Sequence, residues 1–282
     1  MQLQGEIVKV IFASPETGYT VLDMKCEDSI FTVVGVCPPV SEGQMISAEG
    51  KFQTTKYGKQ LSADKVSVSQ PSRITGIIKF LSSGLIHGLG PVTAEAIVSK
   101  YGVNSLEMMK YPIEIAKVKG ISLKKATDFC MNYVKLQKMQ DAIIFLQKLG
   151  LTVNMALKIY KVYEVKTEEN GRKNPYMLVD DIDGIGFASA DRIAAELGIK
   201  KDSDYRISAA ITYLLKDAGS KAGHNYLPEE ELVQAALALL TLDCENADER
   251  VRDCMQDMIL LGDLVRYDTG EHIAILLKKN FN

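Results

Sequence analysis

The chain has 282 residues, of which 46% are hydrophobic and 24% charged, an ordinary globular balance with length for two or three domains; a disordered or fibrous protein is excluded. No apolar run approaches the roughly 20 residues of a bilayer span, and the start MQLQGEIVKV lacks the basic-then-apolar plan of a signal peptide, so a cytoplasmic protein with no membrane partner is expected. The net charge of −3 is unevenly spread: residues 71–175 hold 16 Lys and Arg against 8 Asp and Glu, and residues 201–282 hold 9 against 15, so an anionic partner is expected at the middle of the chain.

Residues 1–70 read as a small antiparallel β-barrel. Strands are predicted at Glu6 to Phe12, Tyr19 to Met24, Phe31 to Val36, Met45 to Phe52 and Gln60 to Val68, separated by Pro, Gly and Glu-Gly turns. Five short strands with no room for a crossover helix suggest an OB-like barrel first and an SH3-like barrel second. Lys56, Tyr57 and Lys59 sit in the turn between the last two strands. There, ammonium groups can meet phosphates and a ring can stack on a base. The bland alternative is a hairpin tip whose lysines keep an edge soluble.

From Pro71 to about Lys200 the hydrophobic period becomes that of helices, and one skeleton recurs four times. Counting from Gly88, Gly120, Gly150 and Gly184, the next residue is Leu89, Ile121, Leu151 or Ile185, followed by Gly90, Ser122, Thr152 or Gly186. The sixth position is always Ala (Ala94, Ala126, Ala156, Ala190), and the ninth is Ile97, Phe129, Ile159 or Ile193. The predicted helices are Ile74 to Ser82 and Pro91 to Tyr101 in the first unit, and Pro112 to Ala116 and a helix from Leu123 in the second. The third has Ala142 to Leu149 and a helix ending near Tyr163, and a polar loop from Glu168 to Asn174 leads into the fourth.

Each part of the skeleton has a physical reason. Two helices joined by a tight turn need Gly at positive φ, an aliphatic to plug the gap, and Ala where the helices approach. The exposed part is a helix start with free N–H groups, able to hold a phosphate without reading sequence. This is the pattern of the helix-hairpin-helix, a motif of proteins that bind DNA through its backbone. A dinucleotide-binding loop is disfavoured, because no strand precedes the glycines and Thr93 or Ser189 replaces the third glycine. Candidate DNA-contacting residues are therefore Gly88, Leu89, Gly90 and Thr93; Lys119, Gly120, Ile121, Ser122, Lys124 and Lys125; and Gly184, Ile185, Gly186, Ser189 and Arg192. The lysines make the second unit the strongest candidate. Asp180, Asp181, Asp183 and Asp191 crowd the fourth, which reads as a packing joint.

Residues 201–282 read as a winged-helix-like domain: helices from Tyr205 to Gly219, Pro228 to Thr241 and Ala247 to Leu261, an extended piece at Asn225 to Leu227, and a hairpin from Asp263 to Leu277. Arg250 and Arg252 on its third helix are surrounded by acids, so packing rather than DNA reading is expected. Five scattered cysteines without a CxxC pair read as small buried hydrophobes, not metal ligands. His224 has no catalytic partner, and the Asp180-Asp181-Asp183 group suits a helix start better than a two-metal nuclease.

The order of barrel, tandem hairpins and helical wing resembles the N-terminal region of the bacterial RecD-like superfamily 1 DNA helicases, the kind without RecB and RecC partners. The resemblance rests on Glu6 to Phe12 with Glu16 to Leu22, on Lys56-Tyr57-Gly58, and on Gly84 to Ala94. It continues through Asn174-Pro175-Tyr176, Asp181 to Phe187 and Ala190-Asp191, and Gly223-His224 with Tyr226-Leu227-Pro228. It implies a non-catalytic DNA-binding module of an enzyme that moves five-prime to three-prime on single-stranded DNA in repair or recombination. The implied partners are DNA, motor domains in cis, and single-strand-binding or repair proteins. No GxxxxGK[ST] occurs, so ATP and magnesium are expected in the motor domains and no cofactor in this chain. A Holliday-junction-binding subunit has the same order but fewer hairpins; a protein-interaction scaffold of a repair complex would use the hairpins for packing only.

Overall fold

The computed structural model describes residues 1–56, 58–222 and 226–278, apart from the side chains of residues 221 and 222. Tyr57, Gly223, His224 and Asn225 lie outside the described residues. The chain forms two compact units, Met1–Glu168 and Glu169–Asn282. Among the described residues no helix is long and apolar enough to cross a membrane.

The first unit opens with five strands, β1 (Gln2–Ala13), β2 (Tyr19–Cys26), β3 (Ser29–Val36), β4 (Met45–Thr55) and β5 (Gly58–Ser69), closed into a barrel in the order β1-β2-β3-β5-β4. This is the OB-like arrangement. One pairing departs from the antiparallel expectation: β3 and β5 run parallel, Thr32 opposite Gln60, because β5 turns back along β4 and joins β3 from its far side. Alternate residues point inward, and Ile7, Leu22, Met24, Val33, Ile46 and Leu61 fill the interior. At the register shift beside Glu49, a Cβ on Gly50 would lie 1.9 Å from the Ser62 carbonyl oxygen, so only glycine lets the strand bend there.

Seven helices follow: α1 (Ile74–Ser82), α2 (Pro91–Tyr101), α3 (Ser105–Met108), α4 (Pro112–Ala116), α5 (Leu123–Lys148), α6 (Val153–Tyr163) and α7 (Thr167–Lys173). Two expectations are corrected. The third unit has no opening helix of its own, since no Gly or Pro interrupts the chain between Leu123 and Lys148 and one 26-residue helix serves the second and third hairpins. The polar stretch after Tyr163 is helical instead of a loop. The buried Thr167 hydroxyl bonds the Glu164 carbonyl at 2.7 Å, and Arg172 and Lys173 suit the negative end of the helix dipole.

The first two hairpins share one core, in which Leu89, Ile97, Ile115, Ile121 and Phe129 meet. The third docks on the barrel. Gln140 of α5, almost fully buried, donates to the Pro39 carbonyl (2.9 Å) and accepts from Gln70 (3.2 Å), while Lys161 of α6 donates to the Glu16 carbonyl (3.0 Å).

The second unit holds α8 (Met177–Asp181), α9 (Phe187–Glu196), α10 (Asp204–Ala222), α11 (Glu229–Leu240) and α12 (Ala247–Leu261). Its strands are β6 (Leu227–Pro228), β7 (Leu264–Asp268) and β8 (Ile273–Leu277), in the order β6-β8-β7. The expected two-stranded wing thus gains a third short strand. The fourth hairpin shares a single core with these helices: Tyr176 stacks on Phe187 and Phe187 on Tyr213, with centroids 5.8 Å apart in both pairs. Cys37, Cys130 and Cys254 are buried, and burial pushes the Cys37 thiol up to about 12. Cys244 departs from the expectation and is exposed.

Candidate nucleic-acid interface

The four turns are built alike. Gly88, Gly120, Gly150 and Gly184 take φ of 79°, 88°, 80° and 96°, the left-handed region in which a side chain is strained. Two residues on, Gly90, Ser122, Thr152 and Gly186 cap the next helix in extended backbone. Their carbonyls accept the first helical N–H, from Ala94, Ala126, Ala156 and Ala190, at 2.9–3.1 Å. All four alanines are 0% exposed, which is why a larger residue is not tolerated where the two helices cross.

Leu89, Ile121 and Ile185 are buried, and their N–H groups bond Ile86, Val118 and Ile182 within the turn. They hold the turn, with side chain and N–H both taken up within the chain. Leu151 of the third turn differs: it is half-buried and its N–H reaches back to Leu146, ending the long helix α5.

The helix starts also differ in how open they are. At the second and third turns the cap hydroxyls of Ser122 and Thr152 accept the N–H of Lys125 and Met155, both at 3.3 Å. At the fourth, Ser189 donates its N–H to Gly186. At the first turn Pro91 has no N–H to give, and those of Gly90, Val92 and Thr93 have no acceptor among the described residues. Gly90 and Gly186 have φ of −91° and −92°, which any residue adopts, and a Cβ on either would meet nothing within 4 Å. Nothing inside the chain asks for glycine at these two positions.

Lys119, Lys124 and Lys125 are exposed beside the second turn, and none forms an ion pair among the described residues. Their neighbours Lys110 and Lys117 are tied to Glu107 (2.7 Å) and Glu114 (2.6 Å). Thr93 and Ser189 are half-buried, and Arg192 is exposed. On the barrel, Lys56 is exposed, whereas Lys59 lies over the Phe52 ring at 4.6 Å.

The acids of the fourth hairpin are less available than their crowding suggests. Asp191 turns inward and takes both Arg206 Nε (2.7 Å) and Nη2 (2.9 Å), with the Tyr176 hydroxyl at 2.7 Å. The Arg206 guanidinium holds the Asp191 carboxyl below the usual carboxylate range, and burial together with Asp191 pushes the Tyr176 hydroxyl up. Asp180 pairs with Lys216, while Asp183 is exposed. On α12, Arg252 is held by Glu230 and Asp248, both at 2.7 Å, and Arg250 by Asp204 at 2.9 Å, leaving that helix an acidic face.

The sequence carries a further repeat at a longer period. Tyr101-Gly102-Val103-Asn104-Ser105 and Tyr163-Glu164-Val165-Lys166-Thr167 share a backbone: Gly102 and Glu164 have φ of 57° and 48°, and the Ser105 and Thr167 hydroxyls bond the carbonyls of Gly102 and Glu164 at 2.6 and 2.7 Å. The repeat therefore runs in pairs, the first and second hairpins recurring as the third and fourth.

Barrel and turns define a helix-hairpin-helix protein with an N-terminal OB-like domain. A family model described as "ATP-dependent DNA helicase YrrC, OB-fold domain" matches residues 1–71, and one described as "ATP-dependent RecD2 DNA helicase HHH domain" matches residues 135–226, the third and fourth hairpins. The ATP-dependent RecD2 DNA helicase of Deinococcus radiodurans is 29% identical over 237 residues, covering 80% of this chain and 33% of the relative. The chain is similar to the N-terminal region of a RecD-like DNA helicase, and it spans about a third of the length of the curated relative it matches.

Proposed function

We propose that this chain is the DNA-binding module of an ATP-dependent, five-prime to three-prime DNA helicase and grips the DNA backbone without regard to sequence. ATP and magnesium would serve motor domains in cis. The observation that carries the reading is the turn geometry of the first hairpin beside the charge of the second, on one shared core: helix-start N–H groups at Gly90, Val92 and Thr93 with no acceptor among the described residues, glycine at position 90 with no internal need for it, and three lysines beside Gly120 that form no ion pair among the described residues. A phosphate oxygen approaching the N–H groups of Val92 and Thr93 would need the space a side chain at position 90 would take. The third and fourth hairpins serve as joints, one to the barrel and the other to the C-terminal helices.

The test is a titration of the 282-residue chain with single-stranded, forked and duplex DNA at low and moderate salt. Affinity is expected to fall steeply with salt, as release of counterions from neutralised phosphates requires. Absence of binding, or binding indifferent to salt, would falsify the reading. Preference for four-way junctions would favour a junction-binding subunit instead.

A further inference from the structure

The outward face of α5 carries a line of charge that begins at the second turn and runs well past it. Between Lys124 and Gln140 the exposed residues of this helix are Lys124, Lys125, Asp128, Met131, Lys135 and Lys138. At about 3.6 residues per turn, all of them but Lys125 fall within about 80° of the helix circumference, and Lys125 flanks the line. At about 1.5 Å per residue, Lys124 and Lys138 stand about 21 Å apart along the axis. The opposite face is buried, with Phe129, Cys130, Tyr133 and Leu136 in the core that the first two hairpins share. The line ends where the helix meets the barrel. There Gln140 is bonded to Pro39 and Gln70, and Ala142, which would continue the outward face, is 5% exposed.

These lysines are not taken up by internal pairs. Lys124, Lys125 and Lys138 form no ion pair among the described residues. Lys135 has Glu164 at 4.0 Å, but both side chains are more than half exposed, so water and salt screen the pair. Asp128 is the one acid in the line, and it too forms no ion pair among the described residues. A straight, rigid row of ammonium groups matches a polyanion with regularly spaced charge. Duplex DNA carries about one negative charge per 1.7 Å of its axis, denser than a single strand, and keeps its bases inside the stack. An unpaired strand gains affinity from rings on which its bases stack, and no aromatic residue lies in this line. The chemistry of the face therefore favours the duplex.

We infer that the outward face of α5 is a track for the backbone of duplex DNA, running from the second turn toward the barrel, with Lys135 and Lys138 as phosphate contacts beyond the hairpin. At about 3.4 Å per base pair the track spans about six base pairs. This rests on the reading that the first two hairpins grip DNA, and it adds the direction of the duplex, the length of its contact and two residues that the turn motif does not include.

The test titrates the 282-residue chain and its variants with a duplex of about 20 base pairs, and with one of its strands, at two salt concentrations. Lys135→Glu with Lys138→Glu should weaken duplex binding about 10-fold and lower the salt slope by roughly 2, with the melting temperature unchanged and a smaller loss for the single strand. Asp128→Lys should do the reverse, tightening duplex binding about 5-fold and raising the slope by roughly 1, a gain that misfolding cannot produce. Duplex affinity unaltered by the double reversal, or no gain from Asp128→Lys, would overturn the track and leave the face to solvent or to an acidic polypeptide. An equal loss for the single strand would overturn the assignment to duplex. If binding depends on Lys124 and Lys125 but not on Lys135 and Lys138, only the track falls. If the parent chain binds neither DNA, the backbone-gripping reading falls with it.

Discussion

The first and fourth hairpins carry the same Gly-aliphatic-Gly turn in different surroundings. Their backbones match in the left-handed glycine, the extended cap and the alanine crossing. At the first, Val92 is exposed just past the cap, and the neighbouring hairpin supplies lysines. At the fourth, Phe187 lies between two tyrosines and Asp191 is bound to Arg206, so the helix after the turn is committed to packing. The turn motif thus specifies a shape; the side chains one helical turn beyond it decide whether that shape meets a ligand or a neighbouring helix.

The largest expected effect tests the fourth hairpin as a joint. Asp191→Ala leaves the buried guanidinium of Arg206 without its carboxylate and should cost about 3 kcal/mol in denaturant unfolding of the second unit, with DNA affinity unchanged under native conditions. Loss of DNA affinity without loss of stability would reverse the comparison.

The same pair sets an acid response. A carboxylate whose pKa is lowered on folding contributes stability that is fully present above its unfolded value, about 3.9, and is lost as pH falls through the lower folded value. Unfolding of the second unit should therefore ease as pH drops below about 4, and Asp191→Asn should flatten that part of the stability curve. A curve unchanged by the substitution would show that Asp191 does not carry it.

Next in size, Lys124→Glu with Lys125→Glu should weaken DNA binding about 10-fold and lower the salt slope by roughly 2, with little change in melting temperature. An unaltered salt slope would remove the second hairpin from the interface. The smallest effect is that of Ser122→Gly, which makes the second turn resemble the first. It should cost only about a few tenths of a kcal/mol, because glycine also caps well, and should release the Lys125 N–H without weakening DNA binding. A clear loss of affinity would instead make the Ser122 hydroxyl a direct contact.

Much of this was legible in the residues. Helices at Ile74–Ser82, Pro91–Tyr101 and Ala247–Leu261 follow from Pro at a helix start, glycine at a helix end and a 3.6-residue apolar period, all of which are local. The missed helix α7 is polar throughout, so periodicity gave no sign of it. The uninterrupted α5 was divided because the repeat suggested a boundary that the backbone does not need. Among the candidate contacts, Leu89, Ile121 and Ile185 are buried, which the motif did not reveal, since it shows which residues recur and not which way they face.

The sequence alone determined the barrel, the four turns and the charge of the middle segment, because strand alternation, left-handed glycines and lysine content act over a few residues. The tertiary structure decided the rest. Pairing of β3 with β5, inward rotation of Asp191 onto Arg206, and docking of the third hairpin on the barrel through Gln140 all join residues distant in the chain. Such choices depend on which partners come within hydrogen-bonding or van der Waals reach once the chain has closed on itself, and no local pattern encodes that.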